Sequence, residues 1–233
     1  MKHKITLLLF SLAILLTSLN TSAGTNSAND LLDQMISSYG GAKTLEKLNR
    51  PYNQVWQLDA VSRNAKGNDK RYIALPDVLK VELTYPHNSE TRILEGDQGV
   101  KIYDKTKHVD AKGPALDAMR LQRMRLYNPL LLKQRAANIK LSEKDGHYCL
   151  TLSEGGLIAE YFVNKQTNLI DTVIGTLQMG GRKMQFRTEY QDYKMEDGVM
   201  LPHREVKYAG SVNTAVLTLV ETSFNAVSNV KEI

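Results

Sequence analysis

The clearest pattern of apolar and polar positions lies in residues 182–208, RKMQFRTEYQDYKMEDGVMLPHREVKY. Met184, Phe186, Thr188 and Tyr190 alternate there with Lys183, Gln185, Arg187 and Glu189. A two-residue period places one set on each face of an extended strand, so one face is apolar and the other charged. Glu196-Asp197-Gly198 predicts a hairpin turn, and a second extended run begins at Met200. The pattern recurs on both sides of this segment. Trp56, Leu58 and Ala60 alternate with Gln57 and Asp59; Lys66-Gly67-Asn68-Asp69 reads as a turn, and 71–75 as the returning strand. Leu79, Val81, Leu83 and Tyr85 alternate with Lys80, Glu82 and Thr84, and Ile93-Leu94 leads through Gly96-Asp97-Gln98-Gly99 to 100–103. Beyond residue 138, runs at 140–143, 147–153, 158–163 and 169–177 precede the opening segment, and 213–224 follows it with Ala215, Leu217 and Leu219 on one face. The total is roughly eleven short strands separated by turns, which predicts an antiparallel meander.

Two stretches have helical spacing instead. Leu31, Leu32, Met35 and Ile36 repeat on one helix face, with Asn29 or Asp30 as the expected cap; Gly40-Gly41 ends it, and a short second helix carries Leu45 and Leu48 up to Pro51. In 114–137, Leu116, Met119, Leu121 and Met124 form a loosely apolar side, and Arg120, Arg123 and Arg125 point elsewhere. Asn128-Pro129 breaks this helix. Three consecutive leucines, Leu130 to Leu132, are expected to cover two apolar surfaces. A twisted antiparallel sheet of this size must curl, and its apolar face needs a cover. The predicted fold is therefore mainly β with a few helices, a strongly curved antiparallel sheet under a helical lid. Because the helices are few, the concave face is expected to hold a cavity for an apolar ligand. The alternative is that side chains fill it completely.

Composition changes this picture at the N-terminus. The chain has 233 residues, and Lys2 and Lys4 precede an apolar run over 5–16 and the small residues Thr21-Ser22-Ala23. That is the layout of a secretory signal, with the cut expected after Ala23. Residues 24–233 then form one domain, exported to the periplasm. Removing Lys2 and Lys4 takes the formal charge from +5 to +3, a small and scattered excess that gives no reason to invoke nucleic acid. The single cysteine, Cys149, cannot form an internal disulfide and reads as a small half-buried residue. Gly40-Gly41-Ala42-Lys43-Thr44 lacks the Gly before Lys that a phosphate loop needs. The five histidines show no ligand spacing, and no nucleophile elbow or dinucleotide fingerprint occurs.

Several short motifs in order resemble one family: Tyr39-Gly40-Gly41-Ala42-Lys43-Thr44-Leu45-Glu46-Lys47-Leu48, Ile93-Leu94-Glu95-Gly96-Asp97-Gln98-Gly99, Asn128-Pro129-Leu130-Leu131-Leu132, Tyr190-Gln191-Asp192-Tyr193, and Asp197-Gly198-Val199-Met200-Leu201-Pro202. Placed after an export signal, they resemble the outer-membrane lipoprotein-sorting proteins, the LolA/LolB-like superfamily, as a divergent member. The resemblance implies an unclosed β-barrel, wrapped as a half-pipe with helices across its mouth. It implies a carrier that binds acyl chains of a lipid or lipoprotein, with an inner-membrane exporter or outer-membrane acceptor as partner. It implies no catalytic residue, no cofactor and no metal. Under it, the cavity wall is expected from Trp56, Leu58, Leu79, Val81, Leu83, Met184, Phe186, Leu217 and Leu219. The lid is expected from Leu116, Met119, Met124, Leu131 and Leu132, and head-group or partner contacts from Arg120, Arg123 and Arg125. An interaction or sensor module on the same scaffold, serving a membrane-bound regulator or exporter, is the alternative.

Overall fold

A computed structural model describes residues 27–226; the expected export signal lies outside the described residues. Helix α1 (Ala28–Ser38) is capped by Ser27, one turn earlier than Asn29 or Asp30. Ser27 Oγ accepts from the Asp30 amide at 3.2 Å and donates to its carboxylate at 2.7 Å. Asp30 is thereby kept in the first turn, where the helix dipole favours it. Leu31, Leu32, Met35 and Ile36 are all buried. Helix α2 (Ala42–Leu45) runs into a 3-10 turn and buries Leu45 and Leu48.

Six strands follow: β1 (Tyr52–Ala60), β2 (Ala65–Ala74), β3 (Val78–Thr84), β4 (Ser89–Glu95), β5 (Gln98–Tyr103) and β6 (Lys107–Ala111). Two helices, α3 (Pro114–Met124) and α4 (Pro129–Gln134), lead to the other seven. These are β7 (Ile139–Lys144), β8 (His147–Glu154), β9 (Leu157–Val163), β10 (Ile170–Met179), β11 (Arg182–Glu196), β12 (Val199–Ala209) and β13 (Val212–Phe224). The described residues thus hold thirteen strands, against the roughly eleven expected. Strand β6, Lys-His-Val-Asp-Ala, was invisible because it is a short edge strand, exposed except at Ala111. The turn expected at 66–69 is also corrected. The chain turns at 61–64, where Asn64 adopts a left-handed conformation (φ 47°), and Lys66 to Asp69 pair with β1.

All strands are antiparallel to their neighbours, in the order β6-β5-β4-β3-β2-β1-β13-β12-β11-β10-β9-β8-β7. Every neighbour is consecutive in sequence except β1 and β13. The chain therefore walks outward from β1 to one edge, crosses to the opposite edge, and walks back. The crossing is α3 and α4. It need not span a flat sheet, because α3 touches β4 and β5 on one side and β9 and β10 on the other. In a flat sheet β4 and β10 would stand seven strand spacings apart, about 34 Å. An eleven-residue helix is only about 16 Å long. The sheet is therefore curled into an open half-pipe, and α3 bridges its two arms.

Asn128-Pro129 starts α4 as well as ending α3. Asn128 Oδ1 accepts from the Leu131 amide at 3.0 Å, and Pro129 takes the first helical position, where it has no amide to satisfy. Leu131 and Leu132 are fully buried and the half-buried Leu130 packs on the same cluster. The second surface expected beneath the three leucines is not formed, because α1 wraps α4 from outside. The ion pair of Lys133 with Asp33 fastens the two helices.

Candidate functional site

The concave face carries the side chains that matter, and it falls into three zones. At one end α1, α3 and α4 cover the main apolar cluster, which includes Leu79, Val81, Met124, Leu131 and Leu132. At the other end Trp56, Leu58, Ala60, Leu217 and Leu219 form a separate cluster. Between them runs a belt of buried charge that the sequence reading missed entirely.

The belt centres on Arg71 of β2, which is 3% exposed. Its guanidinium bonds both oxygens of Asp69 (3.0 and 2.9 Å) and both of Glu205 (2.8 Å each). It also lies over the Trp56 ring at 4.7 Å. Lys207 Nζ adds to Glu205 at 3.2 Å. Burial alone would raise the Glu205 pKa, but Arg71 and Lys207 outweigh it and hold the carboxyl at about 2. Asp69 and Arg71 share a face because they lie two residues apart on a strand. Their polarity made 66–69 read as a turn.

Strap α3 is fixed at both ends. Its N-terminal half packs Leu116 and Met119 against Gly99, Ala111 and Leu94. Arg120 pairs with Asp97 and Asp117, and Arg123 donates to the Asp77 and Gly96 carbonyls. At its C-terminal end the Tyr161 hydroxyl donates to the Met124 carbonyl at 2.6 Å and Tyr190 to that of Arg125 at 3.4 Å. Gly175 of β10 lets this end press onto the sheet. A Cβ there would sit 2.9 Å from Leu121 Cγ and 2.8 Å from Arg125 Cδ.

Of the three arginines expected to point away from the apolar side, Arg120 and Arg123 bind the strap to neighbouring loops. Arg125 turns inward, over Phe186 (5.9 Å), with Nη1 donating to Thr188 Oγ1 at 3.2 Å. Among the other expected residues, Leu83 is half-buried and adjoins both large clusters, and Phe186 is half-buried against the main one. Met184, expected in the wall, is 38% exposed. It pairs with Leu177 near the turn of the β10–β11 hairpin.

Beneath the strap remains an apolar cavity of about 90 Å³, lined by Tyr39, Tyr52, Ile73, Val173, Tyr193 and Leu201 among others. The Tyr39 and Tyr193 hydroxyls meet at 3.2 Å, and Tyr193 donates to the Ile170 carbonyl at 2.6 Å. Burial pushes the Tyr39 pKa up to about 12, so it stays neutral. Such a volume holds on the order of six to nine waters and falls short of the roughly 300 Å³ at which ligand pockets begin. Side chains fill most of the space in this closed form.

No family model and no curated protein matches the sequence. Solved structures do match by shape. A LolA superfamily protein from Nitrosomonas europaea superimposes at TM-score 0.50 with 13% identity, covering 80% of this chain and 94% of its own. An outer membrane lipoprotein-sorting protein domain from Vibrio parahaemolyticus superimposes at 0.51 with 8% identity, covering 86% and 94%. At such identities the likeness speaks for the fold alone. The chain has the LolA-type fold, a curled antiparallel half-pipe with a helical strap across its mouth.

Proposed function

We propose that the protein is an exported carrier, cleaved after Ala23, that holds the acyl chains of a lipid or lipoprotein in its half-pipe and passes them between membrane partners. The observation that carries this reading is the strap. One short helix bridges two arms of an apolar sheet, held by the buried side chains of Met119, Leu121 and Met124 and by side-chain bonds at both ends. Beside the strap a groove already stands open, with Leu58, Ala60, Leu83 and Leu217 on its apolar wall and Asp69, Arg92 and Lys207 on its polar one. Burying an acyl chain stabilises the complex by roughly 0.8 kcal/mol per CH₂, so a long chain supplies on the order of 10 kcal/mol. That is comparable to what holds the strap, a few hydrogen bonds of about 1 kcal/mol each and the burial of Met119, Leu121 and Met124 at roughly 2 kcal/mol each, and the incoming chain replaces much of the latter. On this reading the main apolar cluster is the resting content of the cavity, and Met119, Met124, Leu131 and Leu132 repack around the incoming chain. Native mass spectrometry of the purified protein tests it. A series of adducts with lipid masses, removed by organic extraction and restored by adding lipid, is expected. A bare mass before and after lipid addition contradicts the reading.

A further inference from the structure

The charged belt is one anion short. It holds three cations, Arg71, Lys207 and Arg125, against two carboxylates, Asp69 and Glu205. Asp69 and Glu205 are both taken up by Arg71 and Lys207. Arg125 has no described carboxylate within ion-pairing reach. Its Nε is buried without any partner, and its Nη1 makes only the bond to Thr188 and a long 3.4 Å contact to the Phe186 carbonyl. The residue as a whole is half-buried, so an uncompensated charge there carries part of the cost of a buried one unless something neutralises it. Burial holds the Arg125 pKa below its ordinary value, the sign of a guanidinium lacking an anion.

What adjoins Arg125 fits an anion. A pocket of about 200 Å³ is bounded by Arg92, Arg125 and Lys207, with Gln122, Tyr208 and Thr214 as further polar groups; Arg92 is paired with Glu90 at 2.8 Å and Lys207 with Glu205, which leaves Arg125 as the cation without a carboxylate. It opens into the groove of about 260 Å³ beside the strap, with which it shares Arg92, Gln122, Lys207 and Thr214. Arg125 also borders the apolar cavity beneath the strap. Two guanidiniums and an ammonium, from a helix end and two strands, suit a carboxylate or phosphate oxygen.

We propose that the Arg92–Arg125–Lys207 pocket takes a carboxylate or phosphate, the anionic head of an amphiphile whose chain lies along the apolar half-pipe. This rests on the acyl-chain reading and narrows it to ligands with a charged head. The head supplies the missing anion and joins the strap, through Arg125, to the sheet.

The test displaces a fluorescent acyl probe from the purified protein at pH 8 with laurate, with 1-dodecanol and with inorganic phosphate. Laurate is expected to compete at least tenfold better than dodecanol. Arg125→Gln and Arg92→Gln are expected to weaken laurate about tenfold and leave dodecanol within twofold, with Arg125→Lys recovering part of the loss. Circular dichroism melts confirm that each variant folds. Equal competition by laurate and dodecanol, unchanged in the variants, overturns the head-group site and leaves the carrier reading standing. No binding of probe, laurate or dodecanol overturns the carrier reading and the proposal with it. Phosphate that binds in an Arg125-dependent way while laurate does not shows a free-anion site and overturns the head-group assignment.

Discussion

Gly40 and Gly198 show how single residues hold this fold together. Gly40 has φ 113°, and a Cβ there would lie 2.1 Å from the Gly198 carbonyl oxygen. The adjacent Tyr39 carbonyl accepts from the Met200 amide at 3.1 Å, and Lys47 Nζ donates to the Asp197 carbonyl at 2.6 Å. Two motifs some 150 residues apart in sequence are thus one contact in space. Gly40→Ala combines strained backbone with a clash against backbone; a loss of roughly 3 kcal/mol is expected, seen as a lower urea midpoint. Glu205 makes a second prediction at this scale. Its folded pKa of about 2 lies below its ordinary value, so its contribution is complete above about pH 4.5 and is lost as pH falls toward 2. That loss amounts to on the order of 3 kcal/mol. Urea midpoints measured across that range are expected to fall in the wild type and to fall less steeply in Glu205→Gln, which starts lower. Glu205 itself was not legible from sequence. In β12 the adjacent Glu205 and Val206 are both buried, so both faces of the strand are covered at that point and no alternation marks Glu205. Burial of a charge depends on partners brought from distant strands, and no local period reports it.

At the scale of elements, strands with one apolar face could be read and elements without one could not. β1, β3 and β11 declare themselves by alternation, whereas β6 is five residues long with only Val109 and Ala111 apolar and the first half of β2 is polar on both faces. The helices were legible as apolar runs, but their role was not. Nothing in Leu116, Met119, Leu121 and Met124 tells that the helix spans two arms of a sheet. That follows from Gly99, Gly175 and Tyr161, which lie on strands. Tyr161→Phe removes the bond to the Met124 carbonyl and leaves packing intact. It is expected to cost about 1 kcal/mol and to speed hydrogen exchange in the last turn of α3 more than in β9. Equal exchange in wild type and variant would show that packing alone holds the strap.

The architecture of the whole molecule follows from its path. A chain that leaves one edge of a sheet at β6 and re-enters the other at β7 must carry its connection across the mouth, so the strap is a consequence of topology. What the alternation could not convey was how full the concave face would be. Its apolar residues were visible as stripes, yet whether stripes meet each other or a ligand depends on how far the two arms curl. In the closed form they mostly meet each other, with about 90 Å³ left over beneath the strap. An acyl chain therefore reaches the main cluster only after α3 leaves the sheet. Leu121→Cys with Gly175→Cys tests this directly, since a Cβ at position 175 lies 2.9 Å from Leu121 Cγ, within disulfide reach. Uptake of a fluorescent fatty acid is expected to be lost in the oxidised double variant and restored by reduction; equal uptake in both redox forms would contradict it.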